Sequence, residues 1–227
     1  LFFKMNDLTL IIPAKNEEES LPAVLNELKK YDYKIDIVLH ASDTETIRSI
    51  KNYPVNIVYQ KNLGYGDALI HGINQCRTKY FCIFNADGSF NPSEIKEMYN
   101  SIQTKKLDFI FASRYEANSG SEDDTILTLT GNYIFTYIGK IFFQLNITDI
   151  LYTFLIGDAS KAKELNLIKR DFSFCVELPI KAKRMKMNLG TIGAFERKRI
   201  AGKKKVSPFK DGFLILSYMI KCLLSRR

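Results

Sequence analysis

Along the 227 residues, runs of apolar side chains change their period repeatedly. Thr9 and the apolar run Leu10 to Ile12 predict a short buried strand. Leu21, Val24, Leu25 and Leu28 then recur at i, i+3, i+4 and i+7, the stripe of a helix that faces a core. Ser20 stands where an N-cap belongs, with Pro22 in the first turn. The alternation continues with strands over 35–39, 55–59, 81–85 and 109–112, and helices over 46–50, 67–76 and 93–102. Strands separated by helices predict an α/β fold with a mainly parallel sheet flanked by helices, because parallel strands need crossovers. Ligands of such sheets lie beyond the carboxyl ends of the strands. Segments 13–17, 40–43 and 85–89 each follow a strand, so they are expected along one edge.

After Arg114 the pattern changes. Asn118 to Asp124 is a polar, acidic loop, and 126–156 is a long apolar stretch relieved mainly by Lys140 and Asp149. Two readings stand for that stretch: a helical region inside the core, or a surface meant for lipid. Helix-forming residues resume over 161–167 and 174–187, and 189–195 can add a strand. The last apolar run, 209–224, is punctuated by Lys210, Asp211 and Lys221 and followed by Arg226 and Arg227. It falls short of the roughly 20 residues of a spanning helix, and it reads as an amphipathic interfacial segment. The expected division is a domain over 1–206 and a juxtamembrane amphipathic segment over 207–227.

Composition narrows the picture. A chain that is 46% hydrophobic and 26% charged folds around a core, so disorder is excluded. Thirty-three basic residues oppose 25 acidic ones, and the net charge of +8 is concentrated towards the C-terminus. A basic end suits phosphates, anionic lipid or nucleic acid. The four cysteines have no C-x-x-C spacing and the two histidines are remote from them, which points away from a zinc site or a disulfide framework and towards a reducing compartment. Leu1-Phe2-Phe3-Lys4 is too short an apolar run for a signal peptide.

Four segments carry candidate chemistry. The apolar run from Phe81 stops on Asp87, which is followed by Gly88 and Ser89. One carboxylate at a strand end, facing a nucleotide diphosphate, can hold Mg or Mn, because hard cations take carboxylate and phosphate oxygens together. A plain Asp-Gly turn is the alternative. Gly64 and Gly66 precede a helix, where glycine permits close backbone approach and the helix N-terminus favours anions; an ordinary loop is the bland reading. Asn16 and Glu17, after Pro13, can hydrogen-bond a base or ribose, or simply begin a helix. Arg197-Lys198-Arg199-Ile200-Ala201-Gly202-Lys203-Lys204-Lys205 can fold over a diphosphate, or be solvated surface.

Five motifs in order resemble the polyprenyl-phosphate branch of family 2 glycosyltransferases. That branch includes dolichol-phosphate mannosyltransferases and bacterial undecaprenyl-phosphate glycosyltransferases. They are P-x-x-N-E at Pro13, Asn16 and Glu17; N-x-G-x-G-x-A-L at Asn62 to Leu69; the D-x-D segment at Asn85 to Asp87; Ser113-Arg114; and the basic loop with Arg199, Gly202 and Lys205. The resemblance implies a GT-A fold and a metal-dependent enzyme on the cytoplasmic face of a membrane. It would move a sugar from a nucleotide diphosphate sugar to polyprenyl phosphate, and nucleic acid would not be a partner.

By carry-over, Pro13, Ala14, Asn16, Glu17, His40, Asn62, Gly66, Ala68, Asn85 and Ala86 contact the nucleotide sugar. Asp87, assisted by Ser89, holds Mg or Mn; Arg199 and Lys205 close on the diphosphate; and Arg114 meets the acceptor phosphate. Three positions depart from the pattern. Asn85 replaces the first carboxylate of D-x-D, Leu39-His40-Ala41 replaces an acidic pair, and Lys204 replaces a serine. An acceptor phosphate is already anionic and can attack without a strong base, whereas a hydroxyl acceptor needs one. For a saccharide hydroxyl, Asp149 or Glu177 is the candidate base. A non-catalytic nucleotide-sugar-binding module is the reading suggested by Asn85 and His40.

Overall fold

The first strand, β1 (Leu8–Pro13), buries Leu10 and Ile12 in one apolar layer and Ile11 in another, which marks an interior strand covered on both faces. The computed structural model describes residues 6–202 and 205–225. Expectations that concern residues 1–4, Lys203, Lys204, Arg226 and Arg227 lie outside the described residues. The elements follow in the order α1 (Leu21–Leu28), β2 (Lys34–Leu39), α2 (Thr44–Ile50), β3 (Asn56–Tyr59), α3 (Tyr65–Gln75), β4 (Tyr80–Ile83), α4 (Ile95–Thr104) and β5 (Phe109–Ser113). Then come β6 (Gly120–Ser121), α5 (Ile126–Phe143), β7 (Leu155–Asp158), α6 (Ala159–Glu164), α7 (Phe174–Arg184), β8 (Leu189–Gly193), β9 (Phe195–Glu196) and α8 (Pro208–Leu224).

Seven strands form one sheet in the order β3-β2-β1-β4-β7-β5-β8. β3, β2, β1 and β4 run parallel, with Ile12 opposite Ile37 and Leu10 opposite Cys82. β7 lies antiparallel between β4 and β5, so that Ile156 sits opposite both Cys82 and Ile110. On one face α1 and α4 cover Leu10, Ile12 and Cys82; on the other, α3, α6 and α7 cover Ile11, Phe81 and Ile83. The carboxyl ends of β1, β2 and β4 consequently open on one edge, as the alternation predicts.

The apolar stretch 126–156 is not one element. A capping box of Thr125 and Thr128 starts α5, and the helix stops at Gln144, whose φ of 55° breaks the repeat. Of the 18 residues of α5 only Asn132 and Gly139 are fully buried. Ile126 is 85% exposed, and Tyr137, Ile134 and Ile141 also face outward. Pro208 opens α8, and Asp211 accepts the Ser207 N–H at 2.7 Å. α8 buries Ile215, Tyr218, Met219 and Cys222 in the layer below the sheet, and Arg184 of α7 donates to the Cys222 carbonyl. It is therefore packed against the rest of the fold, while Phe209 and Phe213 remain 81% and 71% exposed. No helix among the described residues is long and apolar enough to cross a membrane.

Candidate active site

The ends of β1, β2 and β4 deliver three loops to one cavity of about 640 Å³. Pro13, Ala14, Asn16 and Glu17 come from the first loop, His40 from the second, and Asn85, Ala86, Asp87 and Ser89 from the third. Ala68, Arg114, Arg199 and Lys205 complete the sequence-derived residues that line it. Asn62 and Gly66 do not. Asn62 instead closes its own loop, donating from its backbone and side chain to Asp67 at 3.1 Å each.

The glycine loop before α3 serves a different purpose from the one read in the sequence. A Cβ on Gly64 would stand 2.1 Å from the Arg170 carbonyl oxygen, and one on Gly66 would stand 2.1 Å from that of Lys169. The backbone that these glycines admit is the protein's own segment before α7. The Asp67 N–H, in the first turn of α3, donates to Arg170 O at 3.1 Å. Tyr65, between the two glycines, stacks on Phe172 at 4.8 Å and shares a 2.6 Å hydrogen bond with Thr153 on the cavity wall.

Asp87 is hydrogen-bonded at one oxygen and faces a cation at the other. Its Oδ1 accepts the Ser89 N–H at 3.0 Å and the Ser89 hydroxyl at 2.7 Å, while Oδ2 faces Arg199 Nη1 at 3.5 Å. Beneath it, Phe84, Phe90, Tyr152 and Phe154 pack edge-on and stacked, with Phe90 and Phe154 4.7 Å apart. That buried wedge gives the loop a fixed seat. Gly88, at φ 81°, has room only for hydrogen on its Cα: a Cβ would come within 2.5 Å of Ile200. Ile200 N–H donates to the Asp87 carbonyl and Arg197 N–H to that of Ser89, both at 2.8 Å, so the basic segment lies against the Asp87 loop.

The basic segment is not free surface. Arg197 forks onto Glu27 at 2.9 and 3.0 Å and donates to the Phe90 carbonyl. Arg199 reaches Asp87 and donates to Asp123 at 2.9 Å. Partial burial works to lower the Arg199 pKa, but the hydrogen bond to Asp123 and the charge of Asp87 raise it above its ordinary value. Lys205 is bonded to Glu17 and to the Lys15 carbonyl.

Arg114 sits in a different setting from the one expected of a phosphate contact. Its Nε and Nη2 fork onto Asp149 at 2.7 and 2.9 Å, and Nη1 reaches Glu196 at 3.0 Å and Asp124 at 3.4 Å. Burial works to lower its pKa, and the hydrogen bond and charge of Asp149, with Glu196, raise it well above the ordinary value. Asp149 is itself fully buried and also accepts from Asn132 of α5 at 2.5 Å. Engaged at both oxygens, it is not poised as a general base.

Glu177 is corrected as a candidate base. It lies fully buried outside the cavity, where it accepts the N–H groups of Ile168 and Lys169 and pairs with Lys181 at 2.8 Å. That carboxylate anchors the segment that presses on Gly64 and Gly66. Cys175, which does line the cavity, is buried and directs its thiol at the Phe172 carbonyl, and burial pushes that thiol up to about 12, which disfavours the thiolate.

The lining includes carboxylates that motif reading did not single out. Asp43 accepts the Asn16 N–H at 2.8 Å, and Asp123, Asp124, Asp171, Glu196 and Asp211 also face the cavity. Among the described residues, eight carboxylates and five cationic side chains line it, in a chain of net charge +8. A diphosphate entering so acidic a space needs added positive charge. No group of three or more His, Cys, Asp or Glu side chains among the described residues is placed to hold a metal ion. Asp87 nonetheless fits a hard cation that takes its remaining ligands from water and phosphate, since such ions use one or two protein carboxylates.

The pattern of Glycosyl transferase family 2 matches residues 9–165, and the chain belongs to that family. An uncharacterised glycosyltransferase of Mycobacterium tuberculosis (strain ATCC 25618 / H37Rv) is 23% identical over 208 residues, covering 92% of this chain and 93% of the relative. A UDP-N-acetylglucosamine–dolichyl-phosphate N-acetylglucosaminyltransferase of Methanococcus voltae is 25% identical over 207 residues, covering 81% and 82%. Among solved structures, glucosyl-3-phosphoglycerate synthase from Mycobacterium tuberculosis, in complex with Mn2+, UDP and glucosyl-3-phosphoglycerate, superposes with a TM-score of 0.74 at 10% identity. It covers 94% of this chain and 78% of its own. The fold is GT-A, with a mostly parallel central sheet flanked by helices.

Proposed function

We propose that the protein transfers a sugar from a nucleotide diphosphate sugar to polyprenyl phosphate at a membrane surface. The observation that carries this reading is the continuity of the cavity with α8. Lys210, Asp211 and Ile215 line the cavity, while Phe209 and Phe213 stand exposed on the same helix, which packs against α5. A phosphate on a long apolar chain matches that juxtaposition of polar cavity and apolar flank. The dolichyl-phosphate transferase among the relatives adds support. The cytoplasmic face of a membrane is the proposed location.

In this reading Pro13, Ala14, Asn16, Glu17, His40, Ala68, Asn85 and Ala86 surround the nucleotide sugar. Asp87 would hold Mg or Mn, with Ser89 fixing the carboxylate's orientation, as the Mn2+ and UDP of the solved neighbour suggest. Bound there, the cation neutralises charge on the diphosphate. Arg199 and Lys205 give up their internal carboxylate partners and turn to the diphosphate, where Arg199 presents a bidentate fork. An oxygen of the acceptor phosphate forms its bond to the anomeric carbon as the bond from that carbon to the diphosphate oxygen breaks. The nucleoside diphosphate leaves. No proton need be removed from the acceptor, which agrees with Asp149 being locked by Arg114 and Glu177 lying in the core.

The test is turnover of a panel of labelled nucleotide sugars with vesicles that contain undecaprenyl phosphate, undecaprenol or no acceptor. Label passing into the organic phase only with the phosphate supports the reading. Label passing only to a soluble saccharide replaces it with hydroxyl transfer.

A further inference from the structure

We propose that Lys210, and not Arg114, receives the anionic head of the acceptor; this rests on the polyprenyl-phosphate reading above. Every side-chain nitrogen of Arg114 is already directed at a carboxylate, and the side chain is 9% exposed between the rings of Tyr152 and Tyr115. A phosphate approaching it would meet Asp149, Glu196 and Asp124 around a single guanidinium, and three negative charges against one repel an anion. Arg199 and Lys205, both on the cavity wall, are taken by the diphosphate in that reading. Among the described residues that line the cavity, this leaves two cations without an ion pair, Lys15 and Lys210.

Their places in the fold separate them. Lys15 lies on the loop after β1, beside Asn16 and Glu17. Lys210 lies in the first turn of α8, where the helix end adds partial positive charge. Phe213 is one helical turn away on the same side and Phe209 is its neighbour, both open to the outside. Ile215 of the same helix turns into the cavity wall. An amphiphile can thus lay its chain on Phe209 and Phe213 and bring its phosphate to the neighbouring Lys210. A lysine suits this duty because an ammonium on a flexible stem can follow a head group that arrives from the membrane.

The experiment measures binding of the full chain to phosphatidylcholine vesicles doped with undecaprenyl phosphate, with undecaprenol, or with phosphatidylglycerol. Wild type should favour the undecaprenyl phosphate vesicles over the undecaprenol ones by about tenfold, the size of one charged hydrogen bond. Lys210→Ala should lose most of that margin while keeping its affinity for nucleotide sugar, and its loss on phosphatidylglycerol vesicles should be no larger than that of Lys221→Ala, the loss of one surface charge. Lys210→Arg should recover part of it, and Lys221→Ala, further along α8, should keep it whole. A margin that survives Lys210→Ala overturns the assignment alone. Equal loss in Lys221→Ala overturns it in favour of diffuse charge. A wild type that fails to distinguish the phosphate from the alcohol overturns both this assignment and the polyprenyl-phosphate reading.

Discussion

The two walls of the cavity are built on opposite principles. The wall at the ends of β1, β2 and β4 rests on side chains buried on both faces of the sheet, and its loops are fixed by backbone bonds and by the aromatic wedge under Asp87. The facing wall, made of the basic segment, α5 and α8, leaves large apolar side chains outside and reaches the first wall through charged pairs: Arg199 to Asp87, Lys205 to Glu17. A packed wall keeps its shape whether or not a ligand is present. A wall attached by ion pairs can exchange those partners for a ligand's charges, because a phosphate re-pairs each cation that leaves its carboxylate. The comparison assigns the donor to the rigid wall and the acceptor, with closure, to the adaptable one.

The largest effect that separates the walls is expected at Arg199. Arg199→Ala should lower kcat by about 10²–10³-fold, the loss seen when one donor aimed at developing charge is removed, while affinity for the nucleotide sugar falls far less. Arg199→Lys should recover only part, because the bidentate fork is lost. A small fall shared equally between kcat and KM would return the segment to ordinary basic surface. Single-turnover kinetics make the distinction.

A smaller effect sharpens the contrast within α8 itself. Phe209→Ser with Phe213→Ser should weaken vesicle binding by about tenfold or more, as loss of apolar burial at a bilayer requires, and leave the melting temperature nearly unchanged. Met219→Ala, on the fully buried side of the same helix, should cost about 2–5 kcal/mol of stability. Vesicle sedimentation and thermal melts on the same samples check both. A melting temperature lowered as far by the phenylalanine changes as by Met219→Ala would mean that the outer side of α8 is part of the core.

The first wall was largely legible in the sequence because its signals are local. A five-residue apolar run from Tyr80 to Phe84, with a carboxylate three positions on, states a strand and its edge within one short window. The second wall depends on contacts remote in the chain. Asp123 and Arg199 are 76 residues apart, and nothing in an acidic loop announces which arginine it will face. β7 was hidden because it begins at the end of a long apolar stretch and has only four residues, too few for hydrophobicity to mark the change from helix to strand. The glycines at 64 and 66 truly signalled close approach; the approaching backbone was the segment at 169–171, which lies about a hundred positions away. α8 showed an amphipathic pattern but not which side the fold would claim.

Asp87 carries the central claim, that the strand-end wall binds the donor through a divalent cation. Calorimetric titration of nucleoside diphosphates into wild type and Asp87→Ala, each with Mn2+ and with chelator, tests it most directly. The account predicts that Mn2+ tightens binding to wild type and has almost no effect on Asp87→Ala, whose turnover falls nearly to zero. Mn2+-dependent binding that persists undiminished in Asp87→Ala, with turnover intact, would contradict it.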